Sequence, residues 1–329
     1  MKHLGALASS ASRHTRGLLR RAAVRFGGLP HSSDGVDSPP PAVAHDITHL
    51  WMRSFHSTSQ VVDAAADEVV TMTTHGRRLR TVWLAIESIG RGTVLPGRII
   101  LWLDAGEQRL PWRLRRLQKR GLEVKFVAPG FGVHTKYWHY LATQDLNRPL
   151  VLSDDDIVYP PTWLEALRRE LIASHGRSVI AYRAHSIGMS SPDEFTPYAS
   201  WDECRSAEPS YHHFATSVSG QILPPELQTA IRKWGTSFLT LAPTADDVWI
   251  HRCGVMARIP TKQITAHQQH WWFIPGSQAT GLNAMNVAGG ANDVQISASH
   301  NDETRARIWR SIELEDGLPG TPEETAPSI

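Results

Sequence analysis

Cysteine is scarce in this chain. The two present in 329 residues, Cys204 and Cys253, have a spacing that fits neither a disulfide framework nor a thiolate metal site. Long apolar runs are also missing, and no stretch approaches the roughly 18–20 residues that span a bilayer. Charge of one sign is missing too: 34 basic against 32 acidic side chains leave a net +2, so charge gives no ground for nucleic-acid binding. No Gly-x-Gly-x-x-Gly or Walker sequence opens a helix, which removes the commonest dinucleotide and P-loop readings. Apolar material, by contrast, is ample at 41% hydrophobic residues, enough for one large domain or two ordinary ones. A peptide-sized scaffold and a wholly disordered chain are excluded.

The small net charge is a sum of opposed parts. Residues 1–45 hold six basic and two acidic side chains, whereas 311–329 hold five acidic and no basic ones. Pro39, Pro40 and Pro41 close the first stretch, and the last is rich in Pro, Thr and Glu, compositions that bury no core. We therefore expect an N-terminal tail over 1–65, a folded domain over 66–305 and an acidic tail over 306–329. Within the first tail, Leu18, Leu19, Ala22, Val24 and Phe26 alternate with arginines. That pattern suits either a disordered extension or a short basic helix in peripheral contact with an anionic membrane. Arginines interrupt the apolar stretch, so it does not read as a secretory signal.

The middle alternates between strand-length and helix-length patterns. Strands are expected over 69–75, 98–104, 122–128, 150–156 and 178–183, and helices over 78–90, 111–120, 135–145 and 161–174. Leu79, Val82, Trp83, Ile86 and Ile89 recur at helical spacing, while 99–103 (IILWL) is apolar throughout. Repeated βα units with such runs predict an α/β fold with a doubly wound, mostly parallel sheet flanked by helices. Beyond residue 185 the periodicity weakens, which predicts a looped second half. The units divide the domain into halves at 66–185 and 186–305.

Asp154, Asp155 and Asp156 close the fourth strand. Strand alternation would send Asp154 and Asp156 to one side and Asp155 to the other. Three adjacent carboxylates repel one another unless a cation or strong donors compensate. Ligands of open α/β sheets bind beyond the carboxyl ends of the strands, where these acids fall. Hard oxygen donors suit Mn²⁺ or Mg²⁺, and such an ion would neutralise a departing diphosphate. A solvated acidic turn is the plainer alternative. A second pair, Asp246 and Asp247, follows Thr244, which is placed to cap a helix beginning near Ala245. The pair serves either the helix dipole or, beside the first cluster, as a general base.

Several segments, in this order, resemble bacterial GT-A-fold glycosyltransferases of the family 2-like, DxD-containing type that build cell-surface polysaccharides. They are 70–79 (VTMTTHGRRL), 99–103, the acids before Tyr159 and Pro160, 181–185 (AYRAH) and 197–201 (PYASW), then 219–225 (SGQILPP), 243–249 (PTADDVW) and 290–295 (GANDVQ). The resemblance spans roughly residues 68–300. It implies a GT-A-like fold whose first half binds the nucleotide and whose second half supplies the acceptor side. It implies transfer from a nucleoside-diphosphate sugar, commonly a UDP-sugar, to a glycan or lipid-linked acceptor, with inversion and with Mn²⁺ or Mg²⁺ as cofactor. Asp154 and Asp156 become the metal pair, Asp155 joins the donor contacts, and Thr73, Arg77 and Lys136 line the nucleotide and phosphate pocket. Asp246 and Asp247 take the catalytic-acid position, with Asp247 as base, and His300 or His270 completes the metal site. Where the family shows Glu-Asp this chain has Asp-Asp. A cytoplasmic enzyme, peripheral at the inner face of the membrane, is the expected setting.

Other readings stand beside it. A non-catalytic carbohydrate-binding relative keeps the fold without turnover, and a metal-dependent nucleotidyltransferase also joins such a sheet to carboxylates. His267 and His270 have the i,i+3 spacing of paired zinc ligands, without an accompanying HExxH glutamate. Trp201, Trp249, Trp271 and Trp272 are either core or sugar-stacking faces. Arg113, Arg115, Arg116, Lys119 and Arg120 form a basic helix face, either solvated or set against anionic lipid.

Overall fold

A computed structural model of the chain describes residues 41–106, 109–277 and 290–315. Seven strands make the main sheet: β1 (Val69–Thr73), β2 (Arg98–Asp104), β3 (Leu122–Val127), β4 (Leu150–Leu152), β5 (Val179–Ala181), β6 (Gln221–Leu223) and β7 (Thr261–Gln263). Their spatial order is β7-β5-β6-β4-β1-β2-β3, with β6 antiparallel to both neighbours and the other pairings parallel. The helices are α1 (Pro41–His56), α2 (Trp83–Ile89), α3 (Trp112–Gln118), α4 (Thr135–Thr143), α5 (Trp163–Ala173), α6 (Pro225–Lys233), α7 (Phe238–Leu241), α8 (Asp246–Met256), α9 (Ala291–Ser299) and α10 (Asp302–Glu315).

The period of two along each strand sorts the core into two layers. Val70, Met72, Ile99, Leu101, Val151, Ile180 and Ile222 pack with α1, α2, α3 and α5. Their neighbours Val69, Ile100, Trp102, Leu150, Leu152, Val179 and Leu223 pack on the other face with α4 and α6–α10. A strand covered on both faces needs apolar residues at every position, which is why IILWL shows no alternation. The fold is thus α/β, a mostly parallel sheet between two helical layers.

Some boundaries differ from the sequence reading. The fourth strand stops at Leu152, and the three acids lie in the turn that follows. The expected helix over 78–90 is broken into a 3₁₀ turn, Gly76–Arg80, and α2. The second half holds irregular stretches, as expected, but also β6, β7 and five helices. The helix expected to begin near Ala245 is α8, which is buried nearly all round and so has no one-sided apolar stripe to mark its extent. Thr244 does not cap it: Ala245 occupies the cap position without a side-chain bond.

Regular structure reaches into both stretches that the composition reads as tails. Helix α1 lies inside the stretch assigned to the first tail, with Ile47 and Leu50 buried. The basic face of α3 holds it there. Arg113 is buried, its guanidinium 4.4–4.9 Å from the ring centres of Phe55, Trp83 and Trp112. Arg116 Nε donates to Ser54 O at 3.1 Å, and Arg120 pairs with buried Glu87, which also accepts from Arg53 at 3.0 Å. Two of the five cations on this face, Arg113 and Arg116, are therefore spent on α1, and Arg120 on Glu87 and the Ser59 carbonyl. At the other end α10 runs to Glu315 with Ile308 fully buried. Residues 1–40 and 316–329, which carry the basic amphipathic stretch and most of the acidic tail, lie outside the described residues. Among the described residues no helix is long and apolar enough to cross a membrane.

Candidate active site

The carboxyl ends of β1 and β4 adjoin, and the loops leaving them meet the amino ends of α4 and α8. Helix α4 is fixed to β1 through Thr71, whose hydroxyl donates to Lys136 O at 2.5 Å and accepts from Trp102 Nε1 at 2.8 Å. His134, just before α4, bonds Tyr137 Oη at 2.6 Å and Ala242 O at 2.7 Å and stacks on Phe238. Burial pushes this imidazole down to about 4, so it is a neutral spacer joining α4 to the segment before α8.

These anchors aim Lys136 between the two acid clusters. Its ammonium lies 2.8 Å from Asp154 Oδ1 and 3.0 Å from Asp246 Oδ2. Burial works against the charge, but Asp154, Asp246 and Asp247 outweigh it and hold the lysine well above its usual range. A second cation serves the other acids. Arg78 NH1 lies 3.0 Å from both Asp155 Oδ1 and Asp156 Oδ2, and its Nε donates to Ser277 O at 3.1 Å. Thr74 Oγ1 donates to Asp155 Oδ2 at 2.5 Å. Burial still leaves the Asp155 carboxyl above its usual range, against the pull of Arg78 and Thr74. The expected division, Asp154 with Asp156 and Asp155 apart, gives way to Asp155 with Asp156 on Arg78 and Asp154 on Lys136. Strand alternation does not apply once the residues sit in a turn.

Asp247 opens α8 on the sheet side. Its Oδ1 accepts from Ser217 N at 3.0 Å, Ser217 Oγ at 2.5 Å and Gln221 Nε2 at 3.3 Å. Burial, then the charge of Asp246, pushes its carboxyl up to about 7, although Lys136 and Ser217 oppose the shift. A carboxyl at that value suits a general base near neutrality. Ser217 is positioned by Gly220, whose φ of +99° suits glycine and whose missing side chain leaves room for the Trp163 indole.

Of the remaining candidates, Thr73 ends β1 and its hydroxyl donates to Trp102 O at 3.1 Å, while Arg77 is exposed on the 3₁₀ turn. The sequence reading chose Arg77 and passed over Arg78, because only the turn geometry shows which of the two faces the acids. It also missed Thr74, Ser217 and Gln221, which carry no local signal. His300 does not join the acids: it is buried in the second core layer, with Nε2 3.4 Å from His251 Nδ1 and its ring against Phe195. His267 and His270 are exposed in an irregular loop, so helical i,i+3 spacing does not apply to them. Trp201 and Trp249 are core residues, and Trp271 packs on Tyr182. Trp272 and Phe273 are exposed, on a short strand paired with Ile157–Val158 next to the acid turn.

The donor set suits a hard divalent cation: carboxylate oxygens, five acids against two cationic side chains. Among the described residues, however, the one group of three potential ligands with converging donor atoms lies elsewhere.

No protein-family model and no curated protein matches the sequence. Solved structures give remote likenesses. The mannosyltransferase PcManGT from Pyrobaculum calidifontis, in complex with GDP-Man and Mn2+, is 13% identical over 85% of this chain and 88% of that one, with a TM-score of 0.46. Residues 1–349 of S. aureus TarS are 12% identical over 75% of this chain and 72% of that one, at 0.42. The inositol-1-phosphate CTP transferase from T. maritima is 14% identical over 70% and 97%, at 0.39. Likenesses this remote say nothing about the chemistry of this chain.

Proposed function

We propose that the protein is a metal-dependent glycosyltransferase. It moves a sugar from a nucleoside-diphosphate sugar, foremost a UDP-sugar, to a hydroxyl of a glycan or lipid-linked glycan, inverting the anomeric carbon. One observation carries this reading: Lys136 joins Asp154 of the acid turn to Asp246 at the start of α8, so two acid clusters distant in sequence share one site. The ordered segments of the sequence that resemble GT-A enzymes support it.

Mn²⁺ or Mg²⁺ bound by Asp154 and Asp156 would supply positive charge to the diphosphate leaving group. Lys136 and Arg78 keep the carboxylates in place and add charge of the same sign. Thr73, Thr74 and Arg77, at the end of β1, meet the nucleotide, with Asp155 on its ribose side. Asp247 takes the proton of the acceptor hydroxyl; with Ser217 and Gln221 gathered on Oδ1, Oδ2 is the oxygen that receives it. Trp272 and Phe273 offer flat faces to a sugar ring.

The test is a thermal-shift screen of nucleotide sugars with and without Mn²⁺, followed by product analysis with the donors that bind. Metal-dependent stabilisation by a nucleotide sugar, and transfer from it, is expected. A response to nucleoside triphosphates alone would favour a nucleotidyltransferase, and sugar binding without turnover a binding protein.

A further inference from the structure

Away from the acid turn, two adjacent histidines and a distant glutamate converge. His212 and His213 lie where a turn enters the strand His213–Ala215, with ring centres 4.6 Å apart and both Nε2 atoms near one glutamate. Glu315, at the end of α10, brings Oε2 to 2.8 Å from His212 Nε2 and 3.6 Å from His213 Nε2. The three donor atoms all lie within 4.8 Å of one another. Ligands about 2.0–2.1 Å from a tetrahedral zinc stand roughly 3.3 Å apart, between the two measured separations.

Two further observations point to a ligand. His213 is fully buried, and among the described residues neither ring nitrogen has a hydrogen bond of good geometry, an expensive state for an imidazole unless something binds it; Glu315 and the backbone at Thr261 and Glu208 are its polar neighbours. His212 has the outer support typical of a metal ligand. Its Nδ1 bonds Ser210 Oγ at 2.8 Å and lies 3.3 Å from Ser311 Oγ, which turns the Nε2 lone pair toward Glu315.

We propose that His212, His213 and Glu315 form a binding site for one zinc-class divalent cation that clasps α10 to the strand His213–Ala215. Two imidazoles and a carboxylate are a borderline donor set, suited to Zn²⁺ more than to the harder Mn²⁺ or Mg²⁺. Three protein ligands leave the fourth position to water. The clasp would pin the C-terminal helix, and it shares no residue with the acid turn.

The experiment uses the full chain without an affinity tag, stripped with EDTA and titrated with Zn²⁺ against a chromophoric chelator. Co²⁺ serves as the spectroscopic probe. One tightly bound equivalent, a higher melting temperature with Zn²⁺ and the visible bands of four-coordinate cobalt are expected. Glu315 is half exposed at a helix end, so Glu315→Gln should fold as the parent does, and it should weaken Zn²⁺ binding by more than about 10-fold. His212→Gln should do the same, whereas Asp156→Asn should leave this equivalent unchanged. A parent protein that takes up no Zn²⁺ at micromolar concentration would overturn the proposal. So would Glu315→Gln and His212→Gln variants that bind it as tightly as the parent.

Discussion

At the scale of single residues, the decisive group is Asp247. As the proposed base it must be ionised, and its carboxyl sits up at about 7, so turnover should fall as the pH drops through that value. A pH profile of kcat with an acid limb near 7 is the expected result; one flat down to pH 5 would remove Asp247 from the role. Asp247→Asn should lower kcat by about 10²–10⁴-fold and leave donor binding nearly intact. The same substitution should raise the melting temperature at pH 8, by roughly 2–4 °C per kcal/mol gained, because it removes a charge the folded state disfavours. Asp156→Asn tests the other half of the site. Loss of metal-dependent transfer is expected, with calorimetry showing weaker Mn²⁺ binding in the presence of nucleotide; full activity would reassign the metal ligands.

At the scale of elements, short connections hold the site more than the regular strands do. Gly220 lies between the Ser217 turn and β6, and a Cβ there would fall 2.5 Å from Trp163 Nε1. Gly220→Ala should cost about 1–2 kcal/mol for the left-handed backbone alone and displace the Ser217 and Gln221 donors. The expected signature is a kcat loss larger than the stability loss, measured below the melting temperature. Helix α1 depends on a buried carboxylate in the same way. Glu87 is fully buried and serves both Arg53 and Arg120. Glu87→Ala should therefore lower the unfolding free energy by about 3–5 kcal/mol, since it strands two cations. Urea unfolding followed by circular dichroism measures it.

For the whole molecule, the buried histidines set the response to acid. Burial depresses His134, His185 and His251 to about 4 and His212 to about 3. Between these values and 6.5 the unfolded chain binds these protons and the folded chain does not, so stability is lost as the pH falls. Asp155 and Asp247 run the other way, because their folded values are raised, but they are two groups against four. Urea midpoints should therefore decline steadily from pH 6.5 to 4.5, with net proton uptake on unfolding. Midpoints that rise over that range would mean the imidazoles are charged in the folded state.

The alternation of apolar runs and helical stripes determined the α/β class, the mostly parallel sheet and the position of the acids at a strand's carboxyl end. These are consequences of local periodicity, which one segment carries by itself. Other segments were legible only in part: the acid pair after Thr244 marks where α8 begins but not how far it runs or what caps it, and α1 sits in a stretch whose composition reads as a tail. Only the tertiary structure decided that Arg78 and not Arg77 meets the acids, that Asp154 parts from Asp155 and Asp156, and that Lys136 links the two clusters. It alone drew His212, His213 and Glu315 together and set His300 apart from the acid turn. Such pairings join residues many tens of positions apart, where no sequence period operates and packing, desolvation and charge choose the partner.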